Sequence, residues 1–313
     1  MKNLKIVIAG GSGFIGMQMA RMWAADNKVI ILTRNIPNGP NNTYGSTEQI
    51  PNVEMVHWDA KTLGTWTGSL AGCNLLINLA GRTVNCRYNS RNKAEIMESR
   101  VDATRLLGEA VRLMHNLPEL WINGASTTIY RHAEDRPQDE FTGEIENDFS
   151  VQVCKAWEAA FNKIELPNTR KVILRMAIVF GKGGVLVPYS WLARLGVGGK
   201  QGNGRQMFSW VHITDLCRMV EWLYDHKDKT GIYNAAAPDP QPNHAFMRML
   251  RAIYKMPLGI PAPAWLLEIA AIIHGTETEL LLKSRWVLPT RFLKEGFEFQ
   301  FNKMNQALEK LLK

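Results

Sequence analysis

The chain has 313 residues, of which 46% are hydrophobic and 21% are charged, values close to those of average globular proteins. Lys and Arg outnumber Asp and Glu by 37 to 29, and the resulting net charge of +8 is spread along the chain without a basic block. These figures exclude a disordered chain, a collagen and a disulfide scaffold, and the length fits one large domain or two smaller ones.

The cysteines and the apolar stretches bear on metal binding and on the compartment. The 4 cysteines form no C-x-x-C pair and have no metal-ligand spacing, so we expect reduced thiols and no metal site. The N-terminus has too few apolar residues for a signal peptide, and residues 265–273 fall far short of a ~20-residue membrane span. The sequence therefore predicts a cytoplasmic protein without a membrane partner. A nucleic-acid partner is not expected either, because no aromatic and basic motif accompanies the positive charge.

Strand and helix patterns alternate through the first part of the chain. The predicted strands are near-continuous apolar runs, at Leu4–Ala9, Val29–Leu32, Val53–Trp58, Leu75–Leu79, Leu120–Ala125 and Lys171–Phe180. Helical spacing of apolar residues predicts helices at Phe14–Ala25, Arg91–Met114 and about 150–163. This alternation predicts an α/β fold with a Rossmann-type doubly wound parallel sheet.

The character of the sequence changes after Gly181. Residues 181–206 are rich in glycine around one short predicted helix, Ser190–Leu195, and further helices are predicted near 243–254 and 264–273. We predict a dinucleotide-binding domain over residues 1–180 and a smaller, partly interleaved substrate domain over residues 181–313. A strand near 210–237 is expected to return to the first domain.

A glycine-rich loop joins the first strand to the first helix, with Gly10, Gly13 and Gly16 in the spacing of a dinucleotide-binding turn. Gly10 permits the tight turn, Gly13 lets the backbone approach a pyrophosphate, and Gly16 allows close packing of helix on strand. The helix N-terminus then offers free N–H groups to the phosphates. The alternative is a glycine-rich turn with a purely structural role.

The end of the second strand bears on the choice between NAD and NADP. NAD-binding proteins carry an acidic residue there for the ribose hydroxyls, whereas this chain has Thr33 and Arg34 and no acid until Glu48. Because Arg34 can pair with a 2′-phosphate, the sequence favours NADP over NAD. The alternative for Arg34 is an exposed arginine without a ligand.

Further motifs follow the glycine loop along the chain. They are Asp59, Asn78–Gly81, Ser99–Val101 with Thr104, Trp157–Glu158, Phe208–Ile213 with Asp215, Asn234–Pro238, Arg285–Pro289 and Gly296–Phe297. Together with the glycine loop they resemble the motifs of the extended short-chain dehydrogenase/reductases, and more narrowly those of the sugar-nucleotide-epimerase-like "epimerase family protein" group. The resemblance covers the whole length and includes a C-terminal domain of unknown function.

The resemblance implies cofactor contacts at named positions. Beyond the three glycines, the implied loop contacts are Ser12, Phe14 and Ile15; Asp59 would bind the adenine, and Leu79, Ala80 and Gly81 would line the adenosine ribose. Arg100 stands where typical extended members carry an asparagine. It is either a ligand of a cofactor phosphate or an ordinary surface arginine.

The catalytic pair that the resemblance implies, Tyr-x-x-x-Lys, is missing. Counting back from Glu158 puts Ser150 at the tyrosine position and Cys154 at the lysine position, while Lys155 is displaced by about 100° around the helix. A serine hydroxyl is too weak an acid, and a neutral thiol supplies no positive charge. We therefore predict that the usual proton relay is absent.

Other residues remain as candidates for substrate chemistry. Ser126 matches the family serine that hydrogen-bonds the substrate oxygen, and Tyr130 is a nearby phenol that is either catalytic or a packing residue. Arg82 and Arg205 are candidates for binding an anionic group of the substrate. His212 either contacts the substrate or has a structural role.

These features predict an NADP(H)-dependent oxidoreductase or epimerase that acts on a small-molecule substrate, for which the arginines favour an anion. The alternative is a nucleotide-binding sensor or regulatory protein without turnover. A homodimer is compatible with the sequence and is not specified by it.

Overall fold

A seven-stranded parallel sheet forms the centre of the computed structural model, which describes residues 1–36 and 50–313. The order across the sheet is β3–β2–β1–β4–β5–β6–β10, with the reversal of direction beside β1 that defines a doubly wound fold. The predicted Rossmann-type α/β class is confirmed. The strands are β1 (Lys5–Ala9), β2 (Lys28–Thr33), β3 (Val53–His57), β4 (Leu75–Asn78), β5 (Leu120–Ser126), β6 (Arg170–Met176), β7 (Ile178–Phe180), β8 (Met207–Phe208), β9 (Trp210–His212), β10 (Gly231–Ala235) and β11 (Gln241–Pro242).

Helices cover both faces of the sheet. On one face α1 and α5 pack against Ile6 and Ile8, and on the other α2 and α3 pack against Val7 and Ala9. Because successive side chains of a strand point to opposite faces, such strands are apolar throughout. The helices are α1 (Phe14–Trp23), α2 (Ser90–Arg112), α3 (Phe149–Asn162), α4 (Leu186–Arg194), α5 (Ile213–Asp225), α6 (Asn243–Ile253), α7 (Ala264–Ile273), α8 (Glu279–Leu282), α9 (Thr290–Lys294) and α10 (Met304–Leu312).

The last strand predicted for the first domain is two strands in the structure. β6 ends at Met176, which is paired with Ala235, the last residue of β10. The chain then leaves the sheet, and β7 pairs in parallel with β9 instead. A continuous apolar sequence does not record where the neighbouring strand ends, and for this reason the break at Ala177 was not predictable.

The C-terminal region has its own apolar core, built around a cluster of aromatic rings. Phe208 and Phe246 stack with ring centroids 4.5 Å apart, and Phe180 and Tyr189 pack against them. Helices α4, α6 and α10 surround this cluster. The helix predicted at Ser190–Leu195 begins earlier, at Leu186. Over residues 1–36 and 50–313, no helix is long and apolar enough to cross a membrane.

Candidate functional site

The glycine loop leaves the first turn of α1 open. Gly10 has a φ of +71°, and a β-carbon there would lie 2.7 Å from the Ala80 Cα, so the turn requires glycine. A β-carbon on Gly16 would lie 2.4 Å from the Gly11 Cα, so helix and loop are in close contact. Gly13 is the N-cap of α1 without a capping side chain, and a β-carbon on it would meet nothing within 4 Å. The first turn of α1 therefore has no capping side chain, and the space beside Gly13 is open, an arrangement that suits a phosphate at the helix N-terminus.

The side chains of the loop have structural contacts. The Phe14 ring packs under the next glycine-rich loop, where a β-carbon on Gly181 would lie 2.6 Å from Phe14 Cζ. Ile15 packs against the core of the sheet. Thr33 Oγ1 is 2.8 Å from Ser12 Oγ, so these two hydroxyls join the loop to the end of β2. Contacts with a cofactor along this loop would come from backbone groups and from the Ser12 hydroxyl.

The residue after β2 is an exposed arginine. Arg34 follows directly on Thr33, which is buried. In the described parts of the chain no carboxylate forms an ion pair with Arg34. Its exposed guanidinium group stays a candidate for binding a 2′-phosphate, and Glu48 lies outside the described residues.

Asp59 holds the turn after β3. Its carboxylate accepts hydrogen bonds from the backbone N–H groups of Lys61 and Thr62 and from the Thr62 hydroxyl, at 2.7–3.0 Å. The Lys61 bond is the largest of the effects that lower the Asp59 pKa. Both carboxylate oxygens thus accept hydrogen bonds within the turn. The contact between Asp59 and the adenine that the resemblance implies stays a prediction.

The segment Leu79–Gly81, which follows β4, lies beside the glycine loop and against Arg100. The Leu79 N–H donates to the Ala9 carbonyl at 2.8 Å, and Ala80 contacts Gly10 as described above. A β-carbon on Gly81 would lie 3.0 Å from Arg100 Cζ. The Arg100 guanidinium also covers the Trp157 ring, 5.3 Å from its centroid. Arg100 thus lies against Gly81 and over Trp157, and its contact with a cofactor phosphate stays a prediction.

Ser126 ends β5 with its hydroxyl on the turn that follows. Its Oγ accepts from the Thr128 N–H at 3.2 Å, and Thr128 Oγ1 accepts from Arg285 Nε at 3.0 Å. A hydroxyl that accepts one hydrogen bond still has its own proton to donate. Ser126 can therefore donate to a substrate oxygen, and Thr128 connects it to a guanidinium group.

The N-terminal turns of α3 carry Ser150 and Cys154 where the family has its tyrosine and lysine. Burial raises the pKa of the Cys154 thiol to about 12, so it is neutral at pH 7. Lys155 is exposed and points away from this buried face. The phenol of Tyr88 interacts with the Ser150 side chain, and its ring packs on Phe149 with centroids 5.0 Å apart. Lys283 of the C-terminal region reaches this segment: its ammonium group donates to the Asp148 carboxylate and lies 3.4 Å from the Thr128 carbonyl oxygen.

Tyr130 is a packing residue with an engaged hydroxyl. It is only 2% exposed, and its oxygen accepts from Arg175 Nη1 at 2.8 Å and donates to Asn234 Oδ1 at 3.1 Å. Burial raises the pKa of the phenol. Of the two roles left open by the sequence, this geometry favours packing over catalysis.

His212 and the two substrate arginines also have partners within the protein. His212 is 4% exposed, stacks on Phe301 with centroids 3.8 Å apart, and its Nδ1 accepts from the Thr214 N–H at 3.1 Å. Burial lowers its pKa to about 4. Arg82 pairs with Glu95, and Arg205 Nε lies 3.5 Å from a Glu134 carboxylate oxygen. These contacts favour structural roles for the three residues.

The sequence did not indicate that Tyr88, which interacts with the Ser150 side chain, and Arg285, which donates to Thr128, belong to the candidate site. Arg285 was noted only within a C-terminal motif, and nothing near it in sequence indicates a contact with Thr128. Tyr88 precedes α2 in a stretch without periodicity, and its position depends on Glu277, which accepts from the Tyr88 N–H at 2.6 Å. No signal in a single sequence connects these distant segments.

In the described residues, no group of three or more His, Cys, Asp or Glu side chains is arranged to hold a metal ion.

Comparison with known sequences identifies two regions of similarity. The family described as "NAD dependent epimerase/dehydratase family" matches residues 6–236, and "Domain of unknown function (DUF1731)" matches residues 262–311. An epimerase family protein of Staphylococcus epidermidis is 30% identical over 99% of this chain and 99% of its own length. The mouse epimerase family protein SDR39U1 is 27% identical over 98% of this chain and 99% of its own.

Solved structures are similar over nearly the whole chain. The human epimerase family protein SDR39U1, crystallised with NADPH, superposes with a TM-score of 0.84 at 26% identity, covering 98% of this chain and 99% of the human one. A UDP-N-acetylglucosamine 4-epimerase from Methanobrevibacter ruminantium superposes with a TM-score of 0.74 at 17% identity, over 99% and 97% of the two chains, and shows the same fold.

Proposed function

The chain belongs to the NAD dependent epimerase/dehydratase family, and we propose that it is an NADP(H)-binding oxidoreductase or epimerase of the extended short-chain dehydrogenase/reductase type. The observation that carries the proposal is the open N-terminus of α1 at Gly13, uncapped and facing free space. The NADPH in the human relative's structure supports the same cofactor here. The residues present fit that cofactor, since Gly10 and Gly16 shape the loop as its pyrophosphate requires.

The preference for NADP(H) rests on the end of β2. Arg34 is exposed and without an ion-pair partner among the described residues, so its guanidinium group can bind a 2′-phosphate bidentately. Arg100, held over Gly81, is proposed to bind a phosphate oxygen of the cofactor. Titration calorimetry with NADPH and NADH tests this preference, and equal affinities would refute it.

In the proposed reaction the protein orients the substrate through Ser126. When bound, the nicotinamide supplies or accepts a hydride at a substrate carbon. The Ser126 hydroxyl, whose oxygen accepts from the Thr128 N–H, donates its proton in a hydrogen bond to the substrate oxygen. Cys154 stays neutral, because burial raises its pKa to about 12, so it takes no part in proton transfer near neutrality.

A second candidate function is a nucleotide-binding sensor without turnover. The observation that favours it is the replacement of the family's acid–base pair by Ser150 and Cys154 on α3. The two functions are separated by assaying NADPH oxidation with a panel of aldehydes, ketones and nucleotide sugars. Oxidation with any of them supports the enzyme, whereas micromolar NADPH binding without oxidation across the panel supports the sensor.

A further inference from the structure

Two arginines near the candidate site, Arg285 and Arg100, have no carboxylate ion-pair partner among the described residues. Arg285 donates from Nε to Thr128 Oγ1 at 3.0 Å and from Nη1 to the Leu280 carbonyl at 3.4 Å. Arg100 donates from Nη1 to the Ile96 carbonyl at 2.9 Å. In the part of the chain that the structure describes, neither guanidinium group has a carboxylate oxygen within the 4.0 Å that defines an ion pair.

The two positive charges lie near the same two residues. Tyr88 and Cys154 interact electrostatically with both guanidinium groups, that of Arg100 on α2 and that of Arg285 in the C-terminal region. Burial lowers the pKa of both arginines, because a desolvated guanidinium is less well stabilised than one in water. Both nevertheless stay charged at neutral pH.

The acidic residues nearby do not neutralise this charge. Asp148 is paired with Lys283. Glu279 interacts with Arg285 from beyond ion-pair distance, and its Oε1 lies 3.9 Å from Lys283 Nζ. The Glu279 carboxylate is thus shared between Arg285 and Lys283, and positive charge remains in excess around Arg285.

We propose that Arg285 binds an anionic group of the substrate, a carboxylate or a phosphate, while Arg100 is the arginine assigned above to a cofactor phosphate. A buried cation without a counter-charge is costly, and a guanidinium fork matches two oxygens of a carboxylate or phosphate. This inference rests on the proposed function, because it names the class of substrate that would bind at the candidate site around Ser126.

Thr128 limits how far apart the two ends of the substrate lie. Its N–H binds the Ser126 hydroxyl and its own hydroxyl binds Arg285, so one residue separates the donor for the reacting oxygen from the group that binds the anion. In the proposed substrate, the reacting carbonyl or alcohol group and the anionic group are therefore only a few atoms apart. Short oxo or hydroxy acids and their phosphorylated counterparts have this arrangement.

The test measures anion binding to the NADPH-loaded protein by calorimetry, with inorganic phosphate, pyruvate and the neutral ester methyl pyruvate as probes. We expect one or both anions to bind, the ester not to bind, and Arg285→Gln to weaken anion binding at least about tenfold. Arg248→Gln is the matched control, since Arg248 is exposed on α6, and it should bind within twofold of wild type.

The outcomes distinguish the sources of the anion. Phosphate alone supports a phosphorylated substrate, and pyruvate alone supports a carboxylate. No binding of either anion, equal loss in both variants, or ester binding equal to pyruvate would overturn the proposal.

Two further measurements keep the test decisive. Where Arg285→Gln does not fold, as judged by circular dichroism, Arg285→Lys keeps the charge but loses the fork, and we expect intermediate affinity. NADPH binding is measured first: its absence in wild type would refute the proposed function, while anion titration of the protein without cofactor would still test Arg285.

Discussion

Arg175 on β6 and Glu158 on α3 form a buried bidentate ion pair, with Nε and Nη2 each 2.8 Å from a carboxylate oxygen. Arg175 also donates to the hydroxyl of Tyr130, which in turn donates to Asn234. Burial lowers the Arg175 pKa, but the bonds and charge of Glu158 outweigh it and hold the pKa above its ordinary value. The pair fixes α3, with Ser150 and Cys154 near its start, against the sheet.

Removing the acid of this pair should destabilise the fold severely. Glu158→Gln leaves Arg175 buried without a counter-charge, and we expect the free energy of unfolding to fall by about 3–5 kcal/mol. Tyr130→Phe leaves Arg175 Nη1 and Asn234 Oδ1 each without one hydrogen-bond partner but keeps the ion pair, and should cost less, about 1–3 kcal/mol. Urea denaturation of both variants measures the difference. Equal, small losses would show that the pair contributes little to stability.

Arg34→Ala should weaken NADPH binding about 10- to 100-fold, because a charge-assisted hydrogen bond to the 2′-phosphate contributes about 1.5–3 kcal/mol. Binding of NADH, which lacks that phosphate, should change little. Calorimetry on wild type and variant with both cofactors checks this. A parallel loss for the two cofactors would mean that Arg34 acts on the fold and not on the phosphate.

Gly13→Val should abolish NADPH binding and leave the fold intact. A β-carbon at Gly13 meets nothing within 4 Å in the protein, so the fold should accept a valine there. The valine side chain then occupies the space that the pyrophosphate needs. Gly68→Val is the matched control, because a β-carbon there also meets nothing within 4 Å, far from the loop in sequence. Thermal shift with and without NADPH compares them. A Gly13→Val protein stabilised by NADPH like wild type would contradict the assignment.

Most of the fold could be predicted because parallel strands are buried on both faces and appear in the sequence as apolar runs. β1 and β2 were predicted to within one residue at each end, since glycine and charged residues bound them. The break between β6 and β7 was not predictable, because it depends on the end of β10, more than 50 residues later in the chain.

The candidate site was predictable only where its residues are close in sequence. Gly10, Gly13 and Gly16 belong to one turn, and their spacing carries its own physical explanation. Arg285 contacts Thr128 across 157 residues, and that contact depends on how the C-terminal region packs on the sheet. A single sequence contains no record of such packing.

The pH dependence of stability should include a contribution from His212. Burial lowers its pKa to about 4 from 6.5, so between these values the unfolded chain takes up a proton that the folded protein does not. The free energy of unfolding therefore falls as the pH drops from about 6.5 to 4, by at most about 1.4 kcal/mol per pH unit from this residue. His212→Asn keeps an acceptor for the Thr214 N–H and should reduce that slope. An unchanged slope across pH 4–6.5 would contradict the assigned pKa.

Substitutions at the candidate site should distinguish the role of Ser126 from the roles of Ser150 and Cys154, which stand at the family's catalytic positions. Ser126→Ala removes the hydroxyl that donates to the substrate oxygen, and we expect turnover to fall about 100-fold or more. Ser150→Ala and Cys154→Ala should stay within about tenfold of wild type, because loss of true acid–base catalysis costs ~10²–10⁴-fold. Steady-state kinetics with a reactive member of the carbonyl panel and NADPH measures all three. A thousandfold loss in Cys154→Ala alone would show that this thiol takes part in the chemistry although burial keeps it neutral at pH 7.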